Sequence, residues 1–149
     1  MMAQNYRATA DALEDLFVIP PGSGHPRRFL YYQALEHFLR TFLHLNGHDL
    51  DSIERHRHRW GDMLDLCHGL KLPPDIEKYI RKSADNNALV SVRYAYEFDT
   101  DPGTGRKATR STLPLEKAVF ALERAVGAAI EAVGRPVYKR PDPKWKAAR

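Results

Sequence analysis

The sequence predicts an all-α protein, an antiparallel bundle of four to five helices. Three observations predict it. Apolar residues recur at spacings of three and four along most of the chain, Pro and Gly cluster between those runs, and the connections are short. With 149 residues, one domain can bury a single core without staples. The apolar fraction of 43% and charged fraction of 28% are those of an ordinary soluble globular chain. The reading divides the chain into one helical domain, residues 1–134, and a basic Pro-rich tail, residues 135–149. There is no internal repeat.

The first helix is expected over about residues 5–17. Tyr6, Ala10, Leu13 and Phe17 share one face, which turns Asp11, Glu14 and Asp15 outward. Pro20-Pro21-Gly22-Ser23-Gly24 ends it, because consecutive prolines remove backbone donors and glycines relax the chain. The second helix, from about Pro26 to Leu45, contains the longest amphipathic run, FLYYQALEHFLRTFLHL. Leu35, Phe38, Leu39, Phe42 and Leu43 form its apolar face, and Gln33, His37, Arg40 and His44 lie on the other side. Asn46-Gly47 is a C-terminal stop.

A short helix follows in DLDSIERHRHR, capped by Asp49 or Asp51. Trp60, Met63, Leu64, Cys67 and Leu70 then repeat at helical spacing up to a stop at Gly69. Pro73-Pro74-Asp75 opens a further helix with Ile76, Ile80, Ala84 and Ala88 four apart. Beyond it the sequence is two-sided. Val90, Val92, Tyr94, Tyr96 and Phe98 alternate as in a strand, while Leu89, Val92 and Tyr96 also fit one face of a continuing helix. We favour helix to about Ala88 and extended chain after it, which allows a short β-hairpin or extended excursion near residues 89–113 with DTDPGTGRKATR at its tip. The last helix spans about Pro114 to Gly134. Leu115, Val119, Leu122, Val126, Ile130 and Val133 line its stripe, and Ala118, Ala121, Ala125, Ala128, Ala129 and Ala132 keep it slim for close packing.

The net charge of +4 and pI near 9.3 suggest nucleic acid, but the distribution qualifies this. Residues 135–149 hold six Lys or Arg and one Asp, so the body is close to neutral and the basicity belongs to the tail. No apolar run has the roughly 18 residues of a membrane span, and the acidic N-terminal stretch does not read as a secretion signal. Cys67 is the sole cysteine and sits among Leu64, Leu66 and Leu70, as a buried structural thiol would. A cytoplasmic protein is therefore expected.

Motifs for chemistry are sparse. His44 and His48 have the spacing of a helical zinc pair, but Asn46-Gly47 falls between them. His56 and His58 point to different faces of a helix, and no Cys pair completes a site. No metal or cofactor is expected. PPGSG and DPGTG lack the Lys-Ser/Thr of a phosphate loop. The cluster ERHRHRW, residues 54–60, reads either as a solvated face partnered by Asp51 and Glu54 or as a phosphate contact. Arg93-Tyr94 reads either as packing with an ion pair or as a guanidinium for phosphate beside an aromatic for a base.

YYQALEHFLRTFLHLNG resembles the second helix of HEPN-type helical bundles, with their recurrent aromatic–x–x–Ala–hydrophobic–Glu–Lys–x–Leu–Lys–Ala pattern. Tyr31, Ala34, Leu35, Glu36, His37, Leu39, Arg40 and Thr41 carry it here, with His37 and Arg40 in place of the family's lysines. The family's His-Asp-Leu mark is matched in letters by His48-Asp49-Leu50. It is matched in register by His58-Arg59-Trp60, followed by Met63-Leu64 and the Gly69-Leu70 stop. Its Arg-Tyr pair is matched by Arg93-Tyr94, so the resemblance covers roughly residues 6–96.

The resemblance implies a HEPN-like bundle, often homodimeric. It also implies a link to a nucleotidyltransferase or another toxin–antitoxin or defence component, and a nucleotide or RNA as ligand. Many members are metal-independent ribonucleases that use an Arg and a His with four to six residues between them on a late helix. The Arg stabilises phosphate charge and the His moves protons. Here no Arg is followed by a His at that distance, and no His occurs after His68. The expected function is thus a non-catalytic binding and partner module, with His37, Arg40, His58, Arg93 and Tyr94 as candidate binding residues. A divergent metal-independent endoribonuclease pairing Arg93 with a base such as His58 is the alternative, and a structural oligomerisation protein is the third reading.

Overall fold

The computed structural model describes residues 2–15, 25–85, 89 and 112–137. These form a helical bundle of six helices in chain order: α1 (Met2–Asp15), α2 (His25–Leu45), α3 (Leu50–His56), α4 (Trp60–Leu66), α5 (Pro74–Asp85) and α6 (Leu113–Ala132). No strand occurs among the described residues. The hairpin expected near residues 89–113 lies, apart from its two ends, outside the described residues, as does all but the first three residues of the tail.

The element borders follow from local chemistry. The sequence places a stop at Asn46-Gly47, and the backbone makes one there. Gly47 takes φ +86°, its N–H donates to the His44 carbonyl, and the His48 N–H donates to the Leu43 carbonyl. This pair of bonds satisfies carbonyls that the end of α2 would otherwise leave unpaired. Gly134 closes α6 in the same way at φ +76°, with the Arg135 N–H on the Ile130 carbonyl. Asp49 caps α3, accepting from the Ser52 N–H at 2.8 Å. The run from 49 to 66, expected as two helical pieces, is two seven-residue helices joined through Arg57, His58 and Arg59. Counting these separately takes the helix number past the expected four to five.

Helix α2 is the centre of the bundle and packs on α1, α6, α4 and α3. Tyr31, Tyr32, Leu35, Phe38, Leu39 and Leu43 are fully or almost fully buried along it. Each large apolar side chain so buried contributes about 1.5–3 kcal/mol. Trp60 and Met63 of α4, Ile80 of α5, and Leu115, Val119, Leu122 and Val126 of α6 complete the core. Trp60 stacks on Tyr32 with ring centroids 5.1 Å apart. Arg81 ties α5 to α4, reaching Asp65 at 2.8 Å and its own Glu77 at 2.9 Å. Cys67 is buried, in keeping with its leucine neighbours, and burial pushes its thiol up to about 12.

Two faces differ from the expected ones. On α1 the buried stripe is Ala3, Gln4, Arg7 and Ala10, while Tyr6 and Leu13 are only half-buried. On α6 only Ala118 of the alanines is fully buried; Ala121, Ala125 and Ala129 are half-buried, and Ala128 and Ala132 are exposed. Ala118 belongs to the core, Ala121 and Ala129 pack against it, and Ala128 and Ala132 lie outside it. Val133, expected on the core stripe, is exposed, because the helix ends just before it.

Candidate functional site

Two polar networks cross the bundle, and the sequence pattern announces neither. The first centres on Glu36, which is 3% exposed in the middle of α2. One carboxylate oxygen, Oε1, takes Arg40 Nη2 at 2.7 Å, one turn along the same helix. The other, Oε2, lies 2.6 Å from His58 Nδ1 and accepts from Trp60 Nε1 at 3.3 Å. A buried carboxylate is costly unless its lone pairs are filled, and here both oxygens are engaged. The network thereby pins the turn between α3 and α4 to the central helix.

The geometry sets the chemistry of His58. With Nδ1–H donated to Glu36, the neutral ring presents Nε2 as a lone-pair acceptor. The side chain is 44% exposed, so this imidazole is held from the inside and open on the outside. Arg40 shares the same carboxylate and is about a quarter exposed; its Nε finds no hydrogen-bond partner among the described residues. Arg57 precedes His58 with φ +44°, a backbone conformation that a non-glycine residue rarely adopts and that costs on the order of 1–3 kcal/mol. Arg55, Arg57 and Arg59 are all exposed around this turn. Arg59 is partnered by Asp62 at 3.1 Å and by the Arg55 carbonyl at 3.1 Å.

His37 lies one turn before Arg40 on α2 and stacks on Tyr6 of α1, with centroids 5.3 Å apart. Burial holds its pKa below the ordinary histidine value. The neighbouring Arg40 adds to this, and Glu36 opposes it. The structure therefore brings Arg40 and His58 together on Glu36, and places His37 beside them in sequence but against Tyr6 of α1. Arg93 and Tyr94 lie outside the described residues. His44 and His48 meet only through a 3.4 Å contact from His44 Nδ1 to the His48 carbonyl. The described residues contain no group of three or more metal-ligating side chains.

The second network joins α1, α2 and α6. Arg7, 4% exposed, pairs with Glu123 and, at 3.4 Å, with Asp11; its guanidinium also lies over the Phe120 ring. Tyr31 Oη donates to Asp11 at 2.8 Å and accepts from Arg27 Nη2 at 3.1 Å. Arg27 continues to Glu116 at 3.4 Å and Thr112 at 3.3 Å. Burial, then the bond to Asp11, push the Tyr31 hydroxyl well above its usual range, so it stays protonated and donates. Asp11, expected outward, is drawn in by Tyr31.

Glu36 enters the sequence reading only as one letter of the HEPN-like pattern, yet a signal for its role is present. It sits four residues after Tyr32, three before Leu39 and seven before Leu43, which makes it an acid at a core-periodic position. Such an acid needs buried donors. Comparison with protein-family models, with curated proteins and with solved structures finds no match for this chain. No described helix is long and apolar enough to cross a membrane.

Proposed function

We infer that the chain is a non-catalytic, HEPN-like binding and partner module that takes RNA or a nucleotide on the face built around Glu36. The observation that carries this reading is the Glu36 carboxylate holding Arg40 and His58 together beside exposed Arg55 and Arg57. Glu36 offsets one positive charge inside, and the outer arginines supply the field that attracts phosphate. The order of the motifs resembling HEPN bundles, the all-helical architecture and the missing Arg–His pair on a late helix agree with it. Homodimerisation and a nucleotidyltransferase or toxin–antitoxin partner belong to the same reading through the resemblance alone.

The test is fluorescence anisotropy of labelled single-stranded RNA and of a labelled adenine nucleotide across salt concentrations. Binding should weaken steeply with salt, and it should persist when the cations of residues 138–149 are replaced by Gln. Salt-insensitive or absent binding to both probes overturns the reading.

One observation favours a second reading. An imidazole oriented by a buried carboxylate, with Nε2 outward, has the arrangement of a general base. In a divergent ribonuclease, His58 would take the proton from a 2′-hydroxyl as that oxygen attacks phosphorus and the 5′-oxygen leaves. Arg40 would then be the nearby guanidinium rather than Arg93. RNA cleavage in the presence of a chelator, abolished by His58→Ala, would establish this reading and remove the first.

A further inference from the structure

A groove lies between α6, the end of α2 and the start of α5, and of the groups in the two polar networks only Phe120, under the Arg7 guanidinium, lines it. It has a volume of about 970 Å3. Phe42 and Ile76, both buried, and Leu70 line one side. Ala121, Ala125 and Ala128 line the other, at spacings of four and three that put them on one stripe of α6. A wall of methyl groups lets a second helix come close, since interaxial distance is set by the side chains at the contact. Lys71, Lys117 and Arg124 line the same groove, against Asp75 as the only acid among its described lining residues. The groove is therefore apolar inside and cationic at its edges.

That charge selects among occupants. Residues 135–149 carry six Lys or Arg and one Asp, so the chain's own tail meets like charge there. A second copy docking this face on itself across a two-fold axis would set the cationic edges against each other. A helix with one apolar stripe and acidic flanks meets neither objection. Its larger side chains have Leu70 and the methyl groups of Ala121, Ala125 and Ala128 to cover, and its carboxylates have Lys71 and Arg124 to face.

We propose that this groove docks an acidic amphipathic helix of a separate partner protein. The inference gives the partner-module part of the proposed function a chemistry and rests on that part. It does not depend on RNA binding, because Glu36, Arg40 and His58 do not line the groove.

The probe is a capped, fluorescein-labelled helical peptide of about five turns, with leucines along one stripe and glutamates on both flanks. The control carries lysines at the glutamate positions. Anisotropy with the full chain should show the acidic peptide binding about tenfold or more tightly than the basic one. Arg124→Glu combined with Lys71→Glu should weaken it about tenfold or more, leaving salt-dependent RNA binding and the far-UV circular dichroism unchanged. Ala128→Trp, which fills the groove, should do the same, and the charge-reversed pair decides if that variant does not fold. Binding of neither peptide, equal binding of both, or indifference to the charge reversal overturns the proposal. Two further outcomes would also overturn it. One is a dimer that Ala128→Trp dissociates, which assigns the groove to a second copy. The other is peptide binding that appears only after the tail cations are replaced by Gln, which assigns it to the tail. Loss of RNA binding with peptide binding retained would remove the ligand reading and leave this one standing.

Discussion

The two polar networks are built from the same kinds of side chain and end differently. In the Arg7–Glu123 network, charges from α1, α2 and α6 meet one another inside the bundle, with both side chains of the central pair at most a tenth exposed. In the Glu36 network the acid is as deeply buried, but its partners Arg40 and His58 lead outward to a half-exposed imidazole and a turn of exposed arginines. A closed ion pair serves orientation of helices. An ion pair buried at one end and exposed at the other fixes a side chain that solvent can reach, and in the proposed function that side chain faces the ligand. The strained Arg57 backbone lies beside the open network, and strain of that kind persists where the surroundings enforce it.

The difference can be tested from the largest expected effect downward. Glu123→Ala removes the buried carboxylate that faces Arg7 across the bundle and leaves it the weaker pairing with Asp11, and chemical denaturation should show a loss of about 3–5 kcal/mol. The folded fraction should bind RNA as the parent does. Glu36→Ala should cost less, about 1–3 kcal/mol, because Arg40 and His58 can turn to water and only the Trp60 N–H is left buried without a partner. Equal losses at the two sites would erase the distinction between closed and open networks.

Arg57→Gly removes the φ penalty while adding about 0.5–1 kcal/mol of chain entropy cost. Stability should thus stay level or rise by up to about 2.5 kcal/mol, with RNA affinity falling. A stability gain accompanied by tighter RNA binding would contradict the role given to this turn. The smallest effect is at His37. Its pKa is lower in the folded chain than in the unfolded one, so it contributes no slope well above pH 6.5, where both states are uncharged. As pH falls through the ordinary histidine value, the unfolded state takes up the proton first and stability drops. Denaturant midpoints compared above and below pH 6.5 should show that His37→Phe reduces this acid-side loss. An unchanged pH dependence would indicate that His37 is not desolvated by Tyr6 and the bundle.

The helices are legible in the sequence because their signals are local. Gly47, Asp49 and Pro73-Pro74 mark borders by backbone chemistry alone, and Ile76, Ile80, Leu115, Val119 and Leu122 repeat with the helix period. Arg7, Glu116 and Glu123 are not legible as buried residues, since a charge on a helix is assigned to solvent unless its partner is known. The partner of Arg7 is on the last helix, and no periodicity within α1 reports it. The same blindness turns the expected face of α1 toward Tyr6 and Leu13 beside Ala10, whereas the buried stripe joins Ala10 to Ala3 and Arg7. At the candidate site, His37, Arg40 and His58 stand out by residue type and by their place in the HEPN-like pattern. Glu36 is a letter of the same pattern, but its role in joining Arg40 and His58 is not legible, because His58 and Trp60 reach it from more than twenty residues away. The alanines of α6 suggest close packing, although methyl groups at helical spacing are equally the lining of a groove.

In the proposed function, the turn held by Glu36 engages phosphate without cutting RNA. The most direct measurement is the salt dependence of single-stranded RNA binding for the full chain and for Arg55→Gln with Arg57→Gly, with RNA integrity followed in a chelator. The expected result is weaker binding in the variant, a log–log salt slope shallower by about 0.7 for each phosphate no longer neutralised, and intact RNA throughout. An unchanged slope and affinity, or RNA cut by the parent protein and spared by His58→Ala, would contradict it.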